Sequence, residues 1–211
     1  MSVCEHDNSK TIRATGMKFA QQITRAKAVE FIFTPPNFLL RNQISFEESH
    51  IDSGAKAIYT EGSKTDEGTG SAYCILENYG IIASWQGKLD RSNSVFQAEI
   101  LAMAIEAASS LHRPIKIWTD SLSSLMAILN PKSHHSLVRE IQTLLLPHKH
   151  IHLRWLKAHV GYLGNECADQ LAKEAITKGD PFLLPKPLSY LKSEKIWDFL
   201  IKLLYLPMYL C

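Results

Sequence analysis

Cysteine is scarce. Four thiols, Cys4, Cys74, Cys167 and Cys211, stand far apart in 211 residues, with no C-x-x-C pair and no zinc spacing. A disulfide framework and a zinc module are therefore not expected, and a reducing intracellular compartment is the simpler setting. Net charge is almost absent, at +2. Bulk electrostatics thus gives no sign of nucleic acid, and any such binding has to come from a local patch. Long apolar runs are missing as well. The most apolar stretch, Ile196 to Cys211, is interrupted by Asp198, Lys202 and Pro207. It is too short to span a bilayer comfortably and reads as an amphipathic helix or a frayed tail. The first ten residues carry Glu5 and Asp7 and no apolar run, which argues against a secretory signal. No internal repeat is visible. These absences point to an intracellular protein, cytoplasmic or nuclear, and not a secreted one.

What is present suits one ordinary domain with flanking pieces. Hydrophobic residues make up 45% of the chain and charged residues 21%, the proportions of a globular protein with a sizeable core. Residues 1–54 read as a lead-in, partly irregular, with a candidate helix over Met17–Phe33 ahead of the breaker Thr34-Pro35-Pro36-Asn37. Residues 179–211 read as a tail with one amphipathic helix. Both ends look truncated, and a fragment of a longer polyprotein is the expectation.

The stretch between them is richer in pattern. Ala55–Thr60, Ser71–Leu76 and Gly80–Gln86 read as strands, with Lys64–Gly70 as a hairpin turn. Ser94 and Gln97 have capping-box spacing. Behind them Phe96, Ile100, Met103, Ala104, Ala107, Ala108 and Leu111 fall on one helical stripe. Ile115–Thr119 is a strand, Leu122–Leu129 a helix stopped near Pro131, and Ser136–Leu146 a helix stopped by Pro147. Ile151–Leu156 is a strand, and Gly164–Lys178 a helix with Gly179 past its end. The order βββαβααβα predicts an α/β domain with a mixed five-stranded sheet flanked by helices.

Acidic residues are ordinarily solvated, but four have unusual placements. Glu61 is expected to end the first strand, and Asp120 ends the Ile115–Thr119 strand, where sites gather in α/β sheets. Glu99 lies at the edge of an apolar stripe, and Asp169 sits beside Ala168, Leu171 and Ala172. A carboxylate facing a core needs a cation or a donor. Four carboxylates aimed at one place call for divalent ions, and oxygen ligands suit Mg²⁺ or Mn²⁺. A pair of such ions is a standard device for phosphodiester cleavage. Other residues give weaker signals. Lys88, Arg91, Lys116 and Lys157 are either phosphate contacts or simply solvated. His148, His150 and His152 alternate, so a strand would put all three on one face, as a metal site or, more simply, a polar lead-in. Trp85, Trp118 and Trp155 read as core.

Five strings occur in order: Tyr59-Thr60-Glu61-Gly62-Ser63, Phe96-Gln97-Ala98-Glu99, Trp118-Thr119-Asp120-Ser121, Lys157-Ala158-His159-Val160-Gly161 and Gly164-Asn165-Glu166-Cys167-Ala168-Asp169. Over residues 55–178 the chain resembles a type 1 ribonuclease H domain, of the kind attached to reverse transcriptases of non-LTR retrotransposons. The resemblance implies a ribonuclease H-like fold. It also implies two-metal endonucleolytic hydrolysis of the RNA strand of an RNA–DNA hybrid, with two Mg²⁺ ions (Mn²⁺ as an alternative) and an attached or associated reverse transcriptase. Glu99, Asp120 and Asp169 match the family's second, third and fourth metal-binding acids, and His159 its mobile histidine. Asn165 matches a polar residue near the hybrid, and Gly62 and Ser63 lie beside the first acid as substrate contacts. Ser121 reads as helix-start support. One departure stands out. Where the family string has Asp, this chain has Glu61, one methylene longer, and Asp66 in the predicted turn is no substitute. The alternative expectation is a retrotransposon-derived remnant that keeps the fold and nucleic-acid binding while cleavage is impaired. A second departure is length, since Asn130–His150 has room for one helix and none for the basic helix and loop that some members use to grip the hybrid.

Overall fold

The computed structural model describes Leu40 and residues 42–46, 56–109 and 114–204, excepting the side chains of 108–109 and 198–204. The Met17–Phe33 helix and the proline breaker predicted from sequence lie outside these residues, as do Cys4 and Cys211. The elements run β1 (Ile44–Ser45), β2 (Ala57–Thr65), β3 (Gly68–Glu77), β4 (Gly80–Leu89), α1 (Val95–Ser109), β5 (Ile115–Thr119), α2 (Leu122–Leu129), α3 (Ser136–Leu145), β6 (Ile151–Trp155), α4 (Leu163–Lys178), β7 (Asp180–Pro181) and α5 (Leu188–Leu204). They build one sheet in the order β1-β6-β5-β2-β3-β4-β7. The β2–β3–β4 meander is antiparallel, and β5, β6 and β1 run parallel to β2.

The expected βββαβααβα core is present, but the sheet has seven strands rather than five. The two extra strands are short edge additions. At one edge, β1 comes from the stretch read as lead-in and is anchored by Gln43. The Gln43 side-chain amide nitrogen is buried within hydrogen-bond distance of the carbonyls of Leu145 (3.0 Å), His148 (2.9 Å) and Ile151 (3.0 Å). A glutamine carries no periodic signal, so this anchor had no trace in the hydrophobic pattern.

The first hairpin is also longer than its pattern suggested. β2 and β3 pair from Ala57↔Leu76 to Thr65↔Gly68, leaving only Asp66 and Glu67 as the turn. The polar residues Ser63, Lys64 and Thr65 belong to the strand because backbone pairing, not side-chain burial, holds them. Lys64 adds a tether, its Nζ donating to the Arg91 carbonyl at 2.7 Å. Glu61 therefore sits inside β2, opposite Ala72, rather than at the strand's end.

At the start of α1 the capping box is formed. Gln97 N donates to Ser94 Oγ (3.2 Å) and Ser94 N donates to Gln97 Oε1 (3.1 Å). Every residue from Gln97 to Ala107 is buried, Glu99 and Glu106 included. The single apolar stripe read from the sequence was too narrow, because α1 packs on β2 and β3 on one side and on α2 and α3 on the other. Its aliphatic residues join Ile58, Tyr73 and Ile75 in the main core. Each fully buried side chain of this kind contributes roughly 1.5–3 kcal/mol. The opposite face of the sheet carries a smaller cluster, Tyr59, Cys74 and Trp118 with Ala168 of α4.

The histidine trio does not share a strand face. β6 begins at Ile151, so only His152 is in it, and the rings of His148 and His150 meet edge-on at 5.7 Å in the preceding turn. Trp85 and Trp118 are core residues as expected. Trp155 is only half-buried, and its Nε1 donates to the Asp120 carbonyl at 3.2 Å. The C-terminal helix α5 starts at Leu188, earlier than the Ile196 boundary of the predicted segment. Among the described residues, no helix is long and apolar enough to cross a membrane.

Candidate metal centre

Side chains alternate across a strand. Tyr59 faces the α4 side, so Glu61 in β2 points the same way, and Asp120 follows Trp118 with the same parity just beyond the end of β5. Glu99 comes from α1 on the other face and reaches the cluster beside Gly62. A Cβ built on Gly62 would lie 2.9 Å from both Glu99 Cγ and the Val95 carbonyl oxygen. The glycine thus admits the helix that carries the second acid, and this packing role is what the structure shows for it. Ser63 is half-buried and pairs with Gly70. A comparable close approach seats α4, since a Cβ on Gly164 would fall 2.1 Å from the Tyr59 ring. That contact brings the first turn of α4 to the cluster.

Glu61, Glu99 and Asp120 each offer a carboxylate oxygen, and these oxygens lie within 4.8 Å of one another. The connection after β5 holds Asp120 in place. Ser121 N donates to Thr119 Oγ1 (3.1 Å), Leu122 N to the Asp120 carbonyl (2.9 Å), and Asn165 Nδ2 to Asp120 Oδ2 (3.4 Å). Glu99 is gripped on one oxygen only. The hydroxyls of Ser121 and Ser124 both donate to its Oε2, the latter at 2.9 Å.

Burial pushes the Glu61 carboxyl up to about 10, with the charge and a hydrogen bond of Asp120 next in importance and Glu99 and Asp169 adding to the rise. Without a cation, Glu61 is therefore protonated at neutral pH. Burial raises Glu99 too, opposed by the hydrogen bonds from Ser121 and Ser124 and reinforced by Asp120. Glu61 Oε1 is buried and has no hydrogen-bond partner. Three converging carboxylates with one oxygen left unpartnered suit a hard divalent cation, which accepts oxygen ligands and removes the mutual repulsion.

Asp169 lies outside that group of three. It projects from the second turn of α4, and its Oδ2 accepts from Lys173 Nζ at 2.6 Å. Its charge is nevertheless felt by Glu61. His159 is exposed in the β6–α4 connection with a left-handed backbone, φ 55°, followed by Gly161 at φ 88°. Such a conformation is uncommon for a residue with a side chain. Asn165 is buried and turned toward Asp120. The sequence reading did not foresee Ser124. A serine in the first turn of a helix gives no warning that its hydroxyl reaches an acid on another helix.

A model of the ribonuclease H family matches residues 53–177, more than half of the chain. Among solved structures, the foamy viral protease-reverse transcriptase in complex with dsDNA is similar at 22% identity and a TM-score of 0.49, covering 58% of this chain and 94% of that one. The chain belongs to the ribonuclease H family.

Proposed function

We propose that this member of the ribonuclease H family is a Mg²⁺-dependent endonuclease that hydrolyses the RNA strand of an RNA–DNA hybrid, with Mn²⁺ able to replace Mg²⁺. The observation that carries this reading is the convergence of Glu61, Glu99 and Asp120 within 4.8 Å, inside the span that matches the family. Bound there, two ions would supply an activated water and stabilise the leaving oxygen. Glu61, Glu99 and Asp120 would hold them, with Asp169 as the fourth ligand. Glu61 would have to lose its proton to serve as a ligand, so ion affinity is expected to rise with pH. Asn165 fixes the Asp120 carboxylate from the side, and His159, on its exposed connection, handles a proton near the attacked phosphate. The 2′-hydroxyls that distinguish RNA are displayed in the hybrid's minor groove, where Gly62, Ser63 and Asn165 would make the contacts. Only α3 stands between α2 and β6, so the domain lacks an extra basic helix. It then depends on an attached or associated reverse transcriptase for affinity, since phosphate contacts dominate such binding. The compartment is intracellular, cytoplasmic or nuclear.

A second reading, an impaired remnant that still binds hybrid, is carried by Glu61 itself. Its extra methylene displaces the carboxylate, and a misplacement near 1 Å costs on the order of 10²-fold. One assay decides between the two. The protein and its Glu61→Asp variant are incubated with labelled hybrid and Mg²⁺ or Mn²⁺. The expected result is RNA-strand cleavage by the natural chain and faster cleavage by the variant, by up to about 10²-fold. Binding of hybrid without cleavage by either protein would establish the remnant.

A further inference from the structure

Ser124 lies in the first turn of α2, and its side chain is fully buried. A serine in a helix ordinarily spends its hydroxyl on its own backbone or on solvent. Here both outlets are closed. The capping function at this helix start belongs to Ser121, whose Oγ accepts from Ser124 N, and there is no solvent to reach. The Ser124 hydroxyl instead crosses to α1 and donates to Glu99 Oε2 at 2.9 Å, while Ser121 Oγ, 2.7 Å from Ser124 Oγ, donates to the same oxygen. A carboxylate with one oxygen tied this way has its last torsion fixed, and the other oxygen is presented in a set direction. That orientation bears on the cluster, because a Glu99 oxygen lies within 4.8 Å of those from Glu61 and Asp120. Glu99 reaches the cluster on a flexible three-carbon stem, so without the serine donors its carboxylate would be free to rotate.

We propose that Ser124 is a positioning residue. Its buried hydroxyl orients Glu99 for the divalent cation and thereby sets the ion affinity of the centre. The proposal rests on the metal-ion reading given above. Groups that orient metal ligands without touching the ion typically change affinity or activity by about 10–100-fold, and a hydroxyl on a helix packed against the ligand's own helix is such a group.

The test is isothermal titration of the full chain with Mg²⁺ and with Mn²⁺, in the absence of nucleic acid, for the natural protein, Ser124→Ala, Ser124→Thr and Glu99→Gln. Melting temperatures of the metal-free proteins are measured in parallel. Ser124→Ala is expected to weaken Mg²⁺ binding about 10-fold. In the cleavage assay it should raise the Mg²⁺ concentration for half-maximal rate while leaving the rate at saturating Mg²⁺ close to natural. Ser124→Thr, which keeps the donor, is expected to restore affinity. Unchanged ion affinity in Ser124→Ala, with only a lowered melting temperature, would leave the serine a packing residue and overturn the proposal alone. A natural protein that binds neither ion, and is indistinguishable from Glu99→Gln, would overturn the metal reading and the proposal together.

Discussion

The carboxylate centre has two halves that are built differently. Glu61, Glu99 and Asp120 stand on β2, α1 and the end of β5. Those elements are locked by strand pairing, by the burial of α1 from Gln97 to Ala107 and by the close approach at Gly62. Glu61 and Glu99 are buried and Asp120 is half-buried, and Glu61 is held protonated up to about 10. Asp169 and His159 stand on α4 and the connection before it. Asp169 is occupied by a lysine of its own helix, and His159 is exposed. In the rigid inner half the carboxylates cannot move apart, so without a cation Glu61 keeps its proton. A carboxyl group can be held this far from its ordinary behaviour only where the surrounding structure over-determines the side chains.

The comparison would break first at the acids. Asp120→Asn is expected to lower the cleavage rate by at least about 10²-fold, the scale for losing a group that stabilises transition-state charge. Asp169→Asn should cost less, about 10-fold, because its carboxylate lies outside the group of three and is already shared with Lys173. Equal losses in single-turnover cleavage would mean that the two halves act as one rigid set.

The pH dependence sharpens the same contrast. Glu61 holds its proton in the folded protein well above the ordinary 4.5. Between about pH 4.5 and about 10 the folded state thus binds a proton that the unfolded chain has released, and metal-free stability falls as pH rises. Burial raises Glu99, and lifts the Glu140 carboxyl to about 7, both acting in the same direction. Glu61→Gln keeps the neutral form permanently. It should flatten the fall in melting temperature from pH 5 to pH 9, raise that temperature at pH 8 and abolish stabilisation by Mg²⁺. An unaltered slope would show that Glu61 is not the group that carries the extra proton.

The smallest effect belongs to the outer half. Lys173→Ala removes an i,i+4 pair whose lysine side chain is 56% exposed. A change in stability of no more than about 0.5 kcal/mol is expected in chemical denaturation. Mg²⁺ affinity should stay equal or rise slightly as Asp169 is released. A large loss of affinity would show that Lys173 belongs to the machinery.

Much of this arrangement was legible along the chain. The capping box at Ser94 and Gln97, the strand Ile115–Thr119 and the helix boundaries at Leu129 and Lys178 follow local rules and lie where those rules put them. Other features obeyed partners distant in sequence. β2 runs on through Ser63–Thr65 because β3 supplies hydrogen bonds, which no burial pattern records. The lead-in contributes β1 because Gln43 finds three carbonyls more than one hundred positions away. The histidine trio dispersed because β6 starts one residue after His150.

By itself the order of residues determined the types of the core elements, the family strings and which acids are candidates, because helix caps, strand periodicity and motif spacing are local properties of the chain. Only the tertiary structure decided that three of the four acids meet while Asp169 turns to Lys173, that Gly62 makes room for Glu99, and that Ser124 is aimed at it. Those outcomes depend on two faces of one sheet and two helices coming within a few ångströms of one another. A distance between groups on separate elements has no counterpart in sequence spacing.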